Sequence, residues 1–267
     1  MTTINTNVQS LVANNALKVN NRAMSQAMAQ LSTGQRINSA ADDAAGLAVS
    51  QSMTAQSRGY QMAIRNANDG ISLAQTAEGA MIEISNMLQR MRELAVQAAT
   101  GTLDTTQREY LDTEFTALEE QITSTIDTTK WNGMLILDDT TAQDFEIAIG
   151  ADGDEIVTVT SIALAYTDSS VDTASNAANA VGAVDDALDI VNEARATLGA
   201  AINRLTSAAD NMSNIATNLV ESRSRIQDAD YAAATTELAR TMIIQQAGTA
   251  VLAQANQMPQ AVLALLR

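Results

Sequence analysis

The chain has 267 residues, 46% hydrophobic but only 3% aromatic, with no cysteine, no histidine and a single proline. That inventory excludes disulfides, thiolate nucleophiles, imidazole bases and Cys/His zinc sites, and with them Ser-His-Asp and Cys-His hydrolysis; a carboxylate-only enzyme stays formally open. A net charge of −16 repels phosphates, and with no basic stripe carrying aromatic platforms no nucleic-acid partner is expected.

Alanine and methionine supply much of the apolar bulk and favour helix. Pro259 stands alone and late, so long helices can run uninterrupted before it. Met1 to Asn15 has neither a basic n-region nor an apolar h-region, and no run of 18 apolar residues occurs. Neither a cleaved secretory signal nor a membrane span is expected.

In chain order, Ile4, Val8, Leu11, Val19, Ala23 and Ala27 mark a first amphipathic helix of marginal hydrophobicity, its stripe interrupted by Asn15. Ser32 to Gln35 ends it, and Asn38 to Asp43 makes a second break before the next helix. Met81, Ile84, Leu88, Met91, Ala95 and Ala98 alternate threes and fours, a heptad seam that stops at Thr100-Gly101. Arg90, Leu94 and Gln97 are expected off the core positions of this seam. Leu111, Phe115, Leu118 and Ile122 repeat the spacing in a shorter partner helix over 104–128.

Phe145, Ile147 and Ile149 then alternate, Ala151-Asp152-Gly153 offers a turn, and residues 156–160 are β-branched, which predicts one β-hairpin within about 138–162. Asp152, Asp154 and Glu155 lack the ordered ligand spacing of a calcium loop, so an acidic turn is preferred to a metal site, and no cofactor is expected. Beyond it Val181, Val184, Leu188, Val191, Leu198, Ile202, Leu205, Met212, Leu219 and Ile226 share one register with Arg195, Ala209, Ala216 and Arg223. About 45 residues in one register predict a long helix packed as in a coiled coil. The fold class is mainly α, a long-helix, coiled-coil-like bundle carrying a small hairpin.

Charge divides the chain. Residues 1–58 carry a net +2 and residues 231–267 a net +1, leaving −19 for the middle. Surfaces buried on association are depleted of charge, so both ends are expected to be buried in something. From Trp131 to Ala194 there are 13 acidic residues and no basic one, a solvent-facing segment.

Longer motifs also stand out. Ile4-Asn5-Thr6-Asn7, Leu31-Ser32-Thr33-Gly34, the run 36–46 (RINSAADDAAG), the run 64–72 (IRNANDGIS), and Arg92-Glu93-Leu94-Ala95-Val96-Gln97 occur in order in the first half. Glu221-Ser222-Arg223-Ser224-Arg225-Ile226, Asp228-Ala229-Asp230 and the ending Val262-Leu263-Ala264-Leu265-Leu266-Arg267 follow in the second. Together they resemble bacterial flagellins over roughly 1–137 and 180–267.

The resemblance implies a self-assembling filament subunit for swimming, secreted without a cleaved signal by flagellar type III export to an extracellular flagellum. It implies paired terminal helices, residues 1–44 plus 231–267, lining a tube, with 45–230 as a rod-like bundle. It places self-assembly on Ile4, Val8, Leu11, Val251, Leu252, Val262, Leu263, Leu265 and Leu266. Implied partners are identical subunits, an export chaperone, a filament cap, hook–filament junction proteins and the host Toll-like receptor 5. For the receptor it points to Leu88, Gln89, Arg90, Arg92, Glu93, Leu94 and Gln97, with Glu114 on the neighbouring helix. The short centre, about 138–180, implies a thin filament with an acidic exterior.

Two other readings are weighed. A hook–filament junction protein shares the terminal helices, but the intact ending and the Arg92–Gln97 motif favour the filament subunit. A carboxylate- or calcium-dependent enzyme has only the acidic composition behind it.

Overall fold

The structure is a computed structural model that describes residues 6–137, 143–160 and 169–265. Its helices are α1 (Val8–Thr33), α2 (Ala44–Ala98), α3 (Thr105–Thr128), α4 (Ala174–Gln227) and α5 (Tyr231–Leu265). Between α3 and α4 come β1 (Lys130–Trp131), β2 (Met134–Leu135), β3 (Asp144–Ala148) and β4 (Ile156–Thr160). This is the mainly α architecture expected, with two antiparallel strand pairs where one hairpin was anticipated.

Each helix begins on a residue able to accept from its free N–H groups. Asn7 Oδ1 accepts from Ser10, Asp43 Oδ1 from Gly46, Thr173 Oγ1 from Asn176, and Asp230 Oδ1 from Ala232 and Ala233. Asp104 and Gln107 form a reciprocal capping box at the start of α3. Two arginines serve the opposite ends. Arg108 donates to the carbonyls of Ala98, the last residue of α2, and of Thr100 just beyond it, and Arg36 donates to Ile226 in the last turn of α4, where a cation also meets the negative end of the helix dipole.

The chain divides into two compact units, residues 56–217 and residues 1–55 with 218–267. The division falls inside α2 and α4, whereas the junctions expected at 44/45 and 230/231 fall where α2 and α5 begin.

In unit 56–217 the core joins α2, α3, α4 and the β3–β4 hairpin. Ile84, Leu88, Met91, Leu94, Phe115, Leu198 and Leu205 are fully buried, each contributing about 1.5–3 kcal/mol relative to exposure. The expected α4 register holds in one column, since Val184, Val191, Leu198, Leu205 and Met212 are all buried. The second buried column is Ala180, Ala187, Ala194 and Ala201, one residue before the expected one. Val181, Leu188 and Ile202 are only partly buried against it, as is Arg195. Small alanines fit where neighbouring backbones run close, and the larger side chains one step round seal the rim.

The hairpin lies along α2 for a related reason. A Cβ on Gly59 would stand 2.4 Å from the Ala151 carbonyl, and one on Gly70 would stand 2.9 Å from Ile147. With Ala63 and Ala67 these glycines leave a shallow groove on α2 into which the hairpin settles, and Asn66 Nδ2 donates to the Ala148 carbonyl at 3.1 Å. Phe145 pairs with Val159 and Ile147 with Val157, so the alternation read from the sequence points both valines into the core. Residues 138–142 and 161–162 of the expected hairpin span lie outside the described residues. Asp152, Asp154 and Glu155 are all exposed at the turn, closed by Gly153 at φ 80°. β1 and β2 are joined by Asn132 and Gly133, both at positive φ, the type I′ geometry that Asn-Gly favours.

Candidate assembly surface

In the unit of residues 1–55 and 218–267, α1 and α5 run antiparallel side by side. The residues that meet are small or polar. Asn20, 7% exposed, donates from Nδ2 to the Thr241 carbonyl at 2.8 Å, and Asn7 donates to the Ala255 carbonyl at 2.8 Å. Between them a Cβ on Gly248 would stand 2.7 Å from a Leu17 methyl, so the glycine lets the helices close on that leucine. Ala27, Ala234 and Ala255 complete the buried seam. Gly34, in the left-handed region at φ 71°, ends α1. A short bridge then ties this unit together at its other end, with the Gly34 carbonyl accepting from Ala229 and the Gln227 carbonyl from Arg36.

Because the seam is built mostly from small groups, with Leu17 and Leu252 partly buried in it, many of the larger apolar residues face outward. Val8, Leu11, Val12 and Val19 are exposed on α1, Leu11 by 62% and Val12 by 64%. On α5 Met242, Ile243, Ile244, Val251 and Met258 are exposed. Ile244, Val251 and Met258 recur every seven residues, so they form one stripe. Val8, Val12, Ala13 and Ala16 of α1 with Val251, Ala255 and Met258 of α5 line an open groove of about 450 Å³. The surface is also nearly uncharged. The ionic residues of α5, Glu237 and Arg240, neutralise each other in a pair at 2.7 Å, which holds the Glu237 carboxyl below its usual range.

Of the residues expected to carry assembly, Val8, Leu11 and Val251 are exposed and Leu252 is partly buried in the seam. Ile4 and Leu266 lie outside the described residues. Val262, Leu263 and Leu265 belong to α5, but their side chains also lie outside what is described. Val12, Ile244 and Met258, not singled out from the sequence, are exposed on the same surface, although the seven-residue spacing of Ile244, Val251 and Met258 was available there.

The second group lies on α2 and α3 in the other unit. Gln89, Arg90, Glu93 and Gln97 are exposed and fall within roughly a third of the α2 circumference. Arg90 bridges two carboxylates: its Nε and one terminal nitrogen reach Glu114 Oε1 at 3.0 and 2.8 Å, and the other reaches Glu93 at 3.0 Å. Those bonds, to Glu114 first, push its pKa above the usual arginine value. Arg92 points elsewhere, forking onto Asp185 of α4 at 2.6 and 3.4 Å. Leu94 corrects the expectation that it lies off the core: it is 1% exposed, and Leu88 is buried beside it. A two-stranded seam has two core positions per heptad, but α2 packs against several elements, which widens its buried face to include Leu94.

Comparison with known proteins completes the description. Residues 4–142 match the family model of the bacterial flagellin N-terminal helical region, and residues 181–266 match that of the bacterial flagellin C-terminal helical region. The chain is 44% identical to a flagellin of Halalkalibacterium halodurans, over 99% of each chain. It is 40% identical to a flagellin of Bacillus subtilis, again over 99% of each. Its fold is similar to the crystal structure of Bacillus cereus flagellin, with a TM-score of 0.52 and 33% identity, covering 55% of this chain and 88% of that one.

Proposed function

The chain belongs to the bacterial flagellin family, and on that premise we propose that its paired α1 and α5 assemble identical copies into the extracellular flagellar filament. As a flagellin it is a structural protein of the filament and not an enzyme. The observation that carries the assembly reading is the outward apolar ledge of Val8, Val12, Val19, Ile244, Val251 and Met258 on a nearly uncharged pair. At about 25 cal/mol per Å², such a surface is costly to leave in water. A heterologous contact that does not close on itself gives an open helical polymer, with residues 1–44 and 231–267 inside and 45–230 as the rod.

Truncation tests this. Deleting 1–30 or 240–267 leaves the circular dichroism of the remaining bundle intact while seeded polymerisation, followed by sedimentation and electron microscopy, is lost. Val12→Asp and Val251→Asp act likewise with less disturbance of the fold. Continued assembly of either truncation overturns the assignment. The exposed Met242, Ile243 and Ile244 make α5 the segment we assign to an export chaperone before assembly, with the cap and the junction proteins meeting the assembled ends.

A second reading is that the α2 strip is recognised by Toll-like receptor 5. Its support is the shared exposure of Gln89, Arg90, Glu93 and Gln97 beside Glu114, an arginine held in place at a protein surface. Leu88 and Leu94 then act by shaping the helix and not by touching the receptor. Arg90→Ala weakens binding to the receptor ectodomain and a change at Gln143 does not; equal affinities remove Arg90 from the site.

A further inference from the structure

We propose that Met258 is an oxidation site whose sulfoxide blocks addition of the subunit to the filament. The inference rests on the assembly reading above. Met258 is 49% exposed and lines the groove with Val8, Val12 and Val251, so peroxide reaches it in the free subunit and a packed neighbour covers it afterwards. Met81, Met91 and Met212 are buried in the bundle core. The chain has no cysteine to intercept the oxidant first.

The chemistry is two-electron oxygen transfer. The thioether sulfur attacks one oxygen of hydrogen peroxide, an S–O bond forms as the O–O bond breaks, and the departing hydroxide takes up the released proton as water. Sulfur is oxidised and the peroxide reduced. The product replaces a flexible apolar side chain by a strong hydrogen-bond acceptor. The lining of the groove is dominated by valine and alanine, with only Gln9 and Gln254 able to donate from their side chains. A sulfoxide trapped there on assembly loses water without a matched replacement.

The test treats purified full-length subunit with hydrogen peroxide, quenches, maps sulfoxides by peptide mass spectrometry, and then adds sheared filament seeds. Met258 oxidises well before Met81, Met91 and Met212, and is protected once the subunit is in a filament. Treated wild type shows a critical concentration raised on the order of tenfold, whereas treated Met258→Leu matches its untreated form. Met258→Gln, never oxidised, reproduces the defect. The proposal is overturned if treated Met258→Leu fails as badly as wild type, which moves the effect to Met28 or Met242, if oxidised wild type assembles normally, or if Met258 reacts equally fast inside the filament. Untreated wild type that ignores seeds overturns the assembly reading itself, and this inference with it.

Discussion

In the unit of residues 56–217 most large apolar residues of the helices turn inward, around Leu88, Leu94, Phe115 and Leu198, while in the α1–α5 pair many of the large ones turn outward and mainly small and amide-bearing residues meet. Both regions are helical and both are rich in alanine. They differ in where their apolar surface ends up. The first finishes its core within one chain and carries its charge on the outside. The second leaves many of its valines, isoleucines and methionines uncovered and carries little charge around them, which is the basis of the assembly proposed above. Buried Asn20 fits that division. An amide inside a seam of small residues adds little hydrophobic stabilisation but fixes which turn of α1 faces which turn of α5.

The largest effect expected from this contrast is at Leu94. Leu94→Ala opens a cavity in a closed core and lowers unfolding stability by about 2–5 kcal/mol, read as a shift in the denaturant midpoint at constant slope. Val12→Ala, removing a comparable apolar group from the exposed ledge, leaves the monomer midpoint unchanged. A Leu94 variant as stable as wild type would erase the distinction between the regions. Asn20→Ala comes next. It removes one buried hydrogen bond, worth about 1 kcal/mol, and accelerates amide exchange in α1 and α5 without altering exchange in α3. Exchange rising equally in all three helices would mean the pair is not an independent unit.

The smallest effect sharpens the comparison at the loop that follows α1. Asp42 Oδ2 accepts from the backbone N–H groups of Asn38 and Ser39 and from the Ser39 hydroxyl, and these bonds, led by the Ser39 N–H, lower its pKa. A depressed carboxylate pKa stabilises the fold fully above the unfolded value of about 3.9 and loses that contribution as pH falls through the folded value. The amides of Asn38 and Ser39 therefore lose protection on acidification below that value before the bundle amides do, and a carboxyl titration of Asp42 by NMR gives a midpoint under 3.9. A midpoint at or above it removes the loop from the acid-sensitive part of the molecule.

Much of this was readable in the residues. Helix ends were marked at Ser32–Gln35, where Gly34 turns left-handed, and near Thr100-Gly101, where Arg108 and not the glycine meets the α2 carbonyls, and the 104–128 and 145–160 elements were placed nearly where they lie. The charge-poor ends pointed to burial on association, which the family membership gives its context. Three features escaped. The Asn132-Gly133 turn was overlooked although that dipeptide is a strong hairpin signal. The second α4 column runs through the alanines beside Val181, Leu188 and Ile202, because close helix approach favours the smaller side chains over the larger ones expected there. Leu94 was expected outside because it lies off the 3/4 heptad seam, which marks a narrower face than the one α2 buries.

Local chemistry, carried by capping residues, spacing and the near-absence of proline, is enough to determine long helices, their ends and the family motifs, because each depends on neighbours only a few residues away. Which face of a helix is covered depends on how many partners surround it. Only the packed structure therefore placed Leu94 in the core, set Gly59 and Gly70 beneath the hairpin, and left Val12, Val251 and Met258 exposed on the outside of the α1–α5 pair.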